Sequence, residues 1–376
     1  MKIIVLGSGL VGGPMAMDLA KDPRFRVTVA DIREDSLIRI KEKSPIEIIR
    51  QDLSDPSAVT RLVKNYDMAV NAVPGYMGFQ TLKAIIEAGK NVVDIAFFIE
   101  DPFELDQLAK SKSVTAVMDI GVAPGMCNVL IGYAHAMLDR TENVVYYVGG
   151  LPEIREWPYE YKAVFSPVDV IEEYTRPARF IEDGKPVIRE ALSDPELITF
   201  PGIGTLEAFN TDGLRSLVHT INAPNMKEKT LRYPGHIEKM KMLRETGFFS
   251  REPVEIDGKP VRPLDLTSRL LFPKWKLKEG EADLTIMKVI VEGTKGKMKK
   301  RYTWDLLDRY DPVSGIHSMA RTTGYTATVM LRMIADGIYT NKGITVPEFL
   351  GRKPEYVNYL LNGLKERGVI YREEVS

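Results

Sequence analysis

Three glycines and one acid carry the first chemistry legible in this chain. Gly7, Gly9 and Gly12 fall in Gly7-Ser8-Gly9-Leu10-Val11-Gly12, directly after the apolar run Lys2 to Leu6 and at the opening of a helical pattern. A glycine turn between a strand and a helix is the setting in which GxGxxG binds a dinucleotide. In that role Gly7 permits the tight turn, Gly9 lets backbone approach a pyrophosphate, and Gly12 lets helix and sheet pack closely, with Leu10 and Val11 in the same turn. The phosphates then meet free N–H groups and the positive end of the helix dipole. Asp31 ends the next apolar run nineteen residues after Gly12, where an acid hydrogen-bonds the adenosine ribose hydroxyls. This favours NAD, with Ile32 beside the same ribose. Arg33 leaves NADP open, because an arginine there can meet a 2′-phosphate.

These residues need a particular frame. From Met1 to about Ile120 strand and helix signals alternate, which predicts a Rossmann-type doubly wound parallel sheet of the α/β class. Ligands in such sheets lie beyond the carboxyl ends of the strands. The polar residues there are Asp31, Asp52, Asn71, Asp94 and Asp119. Asp52 is expected near the adenine, and Asn71, Val73 and Pro74 along the cofactor toward the nicotinamide. Asp94 and Asp119 are expected beside the nicotinamide itself, although either could simply cap the following helix. After Gly121 the alternation gives way to mixed signals, including hairpins around Asp183-Gly184-Lys185 and across Gly293-Thr294-Lys295-Gly296. This predicts a second α+β domain over residues 121–309. The helices Ser318 to Asp336 and Glu355 to Arg367, with a final short strand, are expected to return to the first domain, giving it residues 1–120 plus about 310–376.

Composition excludes some partners. The 376 residues are 44% hydrophobic and 27% charged with a formal net charge of −1, an ordinary globular balance without the electrostatic footprint of a nucleic-acid or membrane binder. Cys127 stands alone, so no intrachain disulfide forms, and no apolar run approaches the roughly 18 residues of a membrane span. With no leader expected before the first strand, the cytoplasm is the expected location. No His, Cys or carboxylate cluster has metal-ligand spacing and no nucleophile elbow appears, which disfavours metal-assisted and covalent mechanisms.

Longer motifs go further. Gly121-Val122-Ala123-Pro124-Gly125-Met126, Tyr147 to Pro152, Tyr161 to Pro167, Glu172 to Pro177, Leu231 to His236 with Glu238 and Lys239, and Met319-Ala320-Arg321 together resemble the saccharopine dehydrogenase family, and within it the lysine 6-dehydrogenases. The resemblance spans essentially the whole chain. It implies an NAD(P)-dependent oxidoreductase acting on the CH–NH or CH–NH2 group of a small amino-acid or polyamine-like substrate, often as a homodimer. Saccharopine reductases carry an arginine after the serine matching Ser166; here Pro167-Val168 follows, and a smaller substrate with one carboxylate fits better.

Oxidising lysine at Cε requires a base, because the ammonium begins protonated near its reference pKa of about 10.4. Asp94, Asp119 and His236 are the candidates, in a cleft between the two domains. His236 falls at a helix start, where the local potential favours a neutral imidazole; capping or packing is its alternative role. His135, His219 and His317 read as structural. Arg176 is the expected partner of the substrate α-carboxylate, since a guanidinium can offer two parallel hydrogen bonds. Tyr174, Thr211 and Asp212 are expected beside it. Two readings compete with lysine oxidation: a saccharopine or carboxy-polyamine (carboxynorspermidine) reductase, and a dinucleotide-binding sensor without turnover.

Overall fold

In the computed structural model, which describes residues 1–278 and 280–376, the chain divides into two compact units. The first comprises Met1–Ala136 and Ala320–Ile370, the second Met137–Met319 and Tyr371–Ser376.

The first unit begins with strand β1 (Lys2–Leu6), helix α1 (Gly12–Ala20), β2 (Arg26–Asp31), α2 (Glu34–Lys43), β3 (Glu47–Arg50), α3 (Pro56–Val63), β4 (Met68–Asn71), α4 (Gly75–Glu87), β5 (Asn91–Asp94), α5 (Asp106–Ser111), β6 (Thr115–Val117) and α6 (Met126–Met137). Ile3, Ile4, Val5 and Leu6 are all fully buried, as an unbroken apolar run requires when both faces of a parallel sheet are covered. β1 pairs β2 on one side and β4 on the other, so the strand order reverses at β1. That reversal opens the crevice where such sheets bind ligands, and the glycine turn leaves from that strand.

The second unit follows with β7 (Arg140–Pro152), α7 (Pro167–Thr175), β8 (Ala178–Glu182), β9 (Lys185–Arg189), β10 (Glu196–Phe200), β11 (Gly204–Asn210), the short α8 (Leu217–Thr220), β12 (Asn225–Arg232), α9 (His236–Glu245), β13 (Val254–Ile256), β14 (Lys259–Val261), α10 (Pro263–Trp275), β15 (Asp283–Lys295) and β16 (Met298–Arg309). α7, α9 and α10 contribute to an aromatic core built on Tyr161, Tyr174, Phe209 and Trp275. The β8–β9 hairpin turns on Asp183-Gly184 with φ of 49° and 74°, the positive pair that a two-residue turn demands and that Asp-Gly supplies.

Then come α11 (Ser318–Ala335), β17 (Gly343–Thr345), α12 (Pro347–Gly351), α13 (Pro354–Glu366) and β18 (Tyr371–Val375). In the first unit the buried carboxylate of Asp18 on α1 receives Arg332 of α11 at 2.7 Å, Arg367 beyond α13 at 2.8 Å and the Thr328 hydroxyl at 2.6 Å. This network fastens the C-terminal helices to α1.

The Rossmann-type sheet and the second mixed sheet unit match the expected fold class, but several bounds are corrected. α6 falls in the first unit rather than opening the second. β18 does not return to the first unit; it pairs β16 in the second unit's sheet. β17 was missed and supplies a seventh parallel strand beside β6, because three residues are too few to show a period. The β15–β16 pairing continues to Lys295 and Met298, so Gly293 and Thr294 lie within a strand, not in the turn.

Candidate functional site

At the carboxyl end of β1 the three glycines are fixed by sterics. Gly7 has φ +109°, and a Cβ there would lie 2.5 Å from the Ala72 carbonyl oxygen; one on Gly12 would lie 2.1 Å from that of Gly7. Gly9 differs: only the Arg33 guanidinium, at 3.9 Å, approaches. Its backbone therefore faces room, while its neighbours are packed. No side chain caps α1, leaving its N-terminal potential for an anion. These features fit the pyrophosphate of a dinucleotide.

Asp31 is buried at the end of β2. Burial pushes its carboxyl upward, but hydrogen bonds from the backbone of Arg33 (2.8 Å) and Ser8 (2.7 Å) outweigh it, and the pKa is lowered. The charge needed to receive ribose hydroxyls is thus held in place. Leu10 and Ile32 are exposed apolar residues in the loops after β1 and β2, and Val11 is half-buried between them and α1. Asp52 is exposed after β3 and accepts the Ser54 N–H at 2.9 Å. Val73 is buried, and Pro74 precedes α4 with its ring exposed.

Asn71 and Asp94 come together as adjacent strand ends. The Asn71 amide donates to Asp94 Oδ2 at 2.6 Å, and the Ala96 N–H donates to Oδ1 at 2.7 Å. Both side chains are fully enclosed. The expectation of Asp94 as an accessible base is corrected accordingly: its carboxylate ties β5's exit to β4. Asp119 is also buried and has φ 51°, a left-handed backbone that is uncommon outside glycine.

In the second unit the predicted residues separate into two groups. Tyr174 and His236 meet each other, hydroxyl to Nε2 at 3.0 Å, while His236 Nδ1 lies 2.8 Å from the Tyr159 carbonyl. With Nδ1–H donating to that carbonyl, Nε2 accepts from Tyr174, whose oxygen accepts from Arg232 Nε at 3.3 Å. Burial, then the nearby Arg232 charge, lowers the His236 pKa to about 3. The imidazole is neutral as expected, but it is enclosed with both nitrogens engaged. Its expected role as a substrate base is corrected to a core hydrogen-bond relay, and Tyr174 is an enclosed member of that relay.

Arg176 ends α7 with its side chain largely buried, 3.7 Å from Glu172. Burial lowers its pKa, and the charges acting on it include Glu172, Arg215, Asp212 and Arg179. Asp212 is bound by Arg179 through two hydrogen bonds of 2.8 and 2.9 Å. Thr211 donates to Glu228 at 2.5 Å, and the Gly213 N–H donates to the same oxygen at 3.1 Å. Thus Arg176 and Asp212 share a cluster, with Thr211 beside it.

Sequence reasoning missed Arg232, Glu228, Arg179, Arg215 and Glu173. The signal for two of them was parity: Glu228, Thr230 and Arg232 alternate along one strand and are buried, charged residues at inward positions. Arg232 pairs with Glu173 at 2.6 Å. Glu228 is driven up to about 8 by burial, partly offset by Thr211 and reinforced by Glu173 and Asp212. Among the described residues no group of three His, Cys, Asp or Glu side chains is placed to hold a metal.

Over residues 3–117 the chain matches the family described as Saccharopine dehydrogenase NADP binding domain, and over residues 121–369 that described as Saccharopine dehydrogenase C-terminal domain. Saccharopine dehydrogenase (NADP(+), L-glutamate-forming) of Pyricularia oryzae is 24% identical, with 99% of this chain and 98% of that protein covered. The enzyme of the same name from Saccharomyces cerevisiae is 23% identical with the same coverage. The mitochondrial alpha-aminoadipic semialdehyde synthase of Mus musculus is 27% identical over 67% of this chain, but only 29% of its own length is matched. The solved apo saccharopine dehydrogenase (L-Glu forming) from Saccharomyces cerevisiae has the same fold, with a TM-score of 0.80 at 19% identity over 100% of this chain and 99% of that one.

Proposed function

The chain belongs to the saccharopine dehydrogenase family and is an oxidoreductase that uses a nicotinamide dinucleotide, and we propose that within the family it oxidises the ε-amine of lysine with NAD. The observation that carries this reading is Pro167 at the first position of α7, directly after Ser166. Where saccharopine reductases present a cation to a second carboxylate, this chain opens a helix with a proline, so one substrate carboxylate is served. The alignment with the Pyricularia enzyme runs over 455 positions, more than this chain's 376 residues, in keeping with a trimmed protein.

On this reading Arg176, supported by the neighbouring Arg215, holds the α-carboxylate, and Thr211 with Asp212 lines the same cluster. Asp119, buried like Asp94, is the remaining candidate of the three to take the ammonium proton. Bound NAD supplies the hydride acceptor. Loss of hydride from Cε leaves an iminium, which water hydrolyses to the semialdehyde and ammonia. Asp31 selects NAD, because its fixed negative charge repels a 2′-phosphate.

A second reading, oxidation of the CH–NH bond of saccharopine with NADP, is favoured by the relatives, whose names carry that activity, and by Arg33, whose side chain is 61% exposed beside Gly9. Purified protein offered lysine, ornithine, saccharopine or carboxynorspermidine, with NAD or NADP, decides between them by the rate at which reduced nicotinamide appears. Lysine with NAD is expected to give the highest kcat/KM. Turnover confined to saccharopine overturns the proposal, and cofactor binding without turnover favours a sensor.

A further inference from the structure

The turn that joins β15 to β16 concentrates positive charge on a chain whose formal net charge is −1. Lys295, Lys297, Lys299 and Lys300 fall within it, and the whole-chain balance hides them. The ladder closes with Lys295 opposite Met298. Gly296 turns the corner with φ 61°, its N–H held by Asp139 Oδ2 at 2.6 Å. Strand β7 pairs β15 only as far as Thr294, and β18 pairs β16 only from Tyr302 onward. Among the described residues the tip is therefore a two-stranded ribbon that no third strand pairs.

The ladder places the charges. Residues opposite one another share a face, and successive residues alternate between faces. Lys300 is opposite Gly293 and Lys299 opposite Thr294, so Lys295 and Lys300 project from one face, Lys299 from the other, and Lys297 from the turn. Lys295, Lys297 and Lys299 are exposed and Lys300 is half-buried. Among the described residues none of the four has an ion-pair partner, for Glu292 is taken by Arg301 at 3.5 Å and by Asn143 at 3.2 Å. Four uncompensated cations on a narrow element favour a polyanion.

Their distribution selects which one. A flat lipid surface meets a ribbon at one face or at its turn, and Met298, 62% exposed, is the only apolar side chain at the tip, short of the broad apolar face that interfacial anchoring uses. Residues 293–300 contain no aromatic ring on which unpaired bases could stack. A groove walled by phosphates on both sides uses cations on both faces, and the major groove of a DNA duplex, about 12 Å wide, admits a two-stranded ribbon. The same residues contain no Arg, Asn or Gln, the side chains that read base edges most often, so the contacts go to phosphate and carry no sequence preference. We propose that the β15–β16 hairpin is a docking ribbon for duplex DNA, entering the major groove with its lysines on the phosphates of the two walls. This does not rest on the identity of the substrate.

Fluorescence anisotropy of the full chain with a labelled DNA duplex of two to three helical turns, titrated from low to physiological salt, tests it. The logarithm of the affinity should fall with the logarithm of salt concentration with a slope of about −3 to −4, since each neutralised phosphate contributes about −0.9. Lys295→Gln, Lys297→Gln, Lys299→Gln and Lys300→Gln should each flatten that slope by about one, and the quadruple variant should bind at least tenfold more weakly at low salt. Circular dichroism of each variant confirms that the hairpin and the fold are kept. Absence of binding at low salt, or a quadruple variant that keeps the wild-type slope, overturns the proposal. So does tighter binding, through the same lysines, to phosphatidylglycerol-containing vesicles than to the duplex, which makes a lipid surface the partner.

Discussion

Asp31 and Glu228 are both buried carboxyl groups on strands, one in each unit, and they titrate in opposite directions. Desolvation raises both. At Asp31 the backbone N–H groups of Arg33 and Ser8 reverse the sign and the pKa falls. At Glu228 the Thr211 hydroxyl and the Gly213 N–H lower it, but burial and the charges of Glu173 and Asp212 prevail, and it stands at about 8. The difference comes from position. A strand end beside a glycine turn exposes unpaired N–H groups, which stabilise a negative charge. A position within a strand has already committed its neighbours' N–H groups to the sheet. The first carboxylate is charged and available to a ligand; the second is mostly protonated at neutral pH and accepts the Thr211 hydroxyl and the Gly213 N–H.

The largest effect should come from removing the charge at the strand end. Asp31→Asn keeps the shape and loses the charge-assisted bonds, so kcat/KM for NAD should fall roughly 100-fold, about 3 kcal/mol, while that for NADP falls less or rises. Steady-state kinetics with both cofactors check this. Equal losses for the two would mean that Asp31 only holds the loop, and would erase the functional half of the contrast.

That half was legible because local rules suffice there. Gly7, Gly9, Gly12 and Asp31 lie within one strand–turn–helix–strand unit, and each residue's role follows from spacing. Asp94 and His236 were misread because burial is set by distant partners: Asn71 closes over Asp94, while Tyr159 and Tyr174 occupy both nitrogens of His236. Arg232 and Glu228 were missed because a charged residue in an alternating strand reads as solvent-facing until the opposite face is seen to be covered. The family motifs located this region without distinguishing core residues from substrate contacts.

A second effect separates the two carboxyl groups by pH. Glu228 has an ordinary value of 4.5 and stands at about 8 in the fold. The folded state therefore holds the proton more tightly. The stabilisation is fully present below 4.5 and lost as pH rises through 8. Glu228→Gln mimics the protonated form, so the variant's advantage over wild type should be absent below pH 4.5, be present already at neutral pH and level off above pH 8 at roughly several kcal/mol. Denaturant melts across that range measure it. A variant less stable than wild type at alkaline pH would show that the fold favours the ionised carboxylate, and the contrast with Asp31 would fail.

The smallest effect tests whether the relay around His236 is structural. Tyr174→Phe removes one hydroxyl that donates to His236 and accepts from Arg232, leaving two buried groups short of a partner at a cost of about 1 kcal/mol. Because His236 stands at about 3, below its ordinary 6.5, the unfolded chain binds the proton more readily, and the imidazole's stabilisation is present above 6.5 and lost as pH falls toward 3. The loss of the hydroxyl should therefore lower the melting temperature and move the onset of acid unfolding, while KM for the amine substrate stays within twofold, since Tyr174 is enclosed. A large rise in KM at unchanged stability would return Tyr174 to the substrate and put the carboxylate cluster around Arg176 in contact with the same ligand.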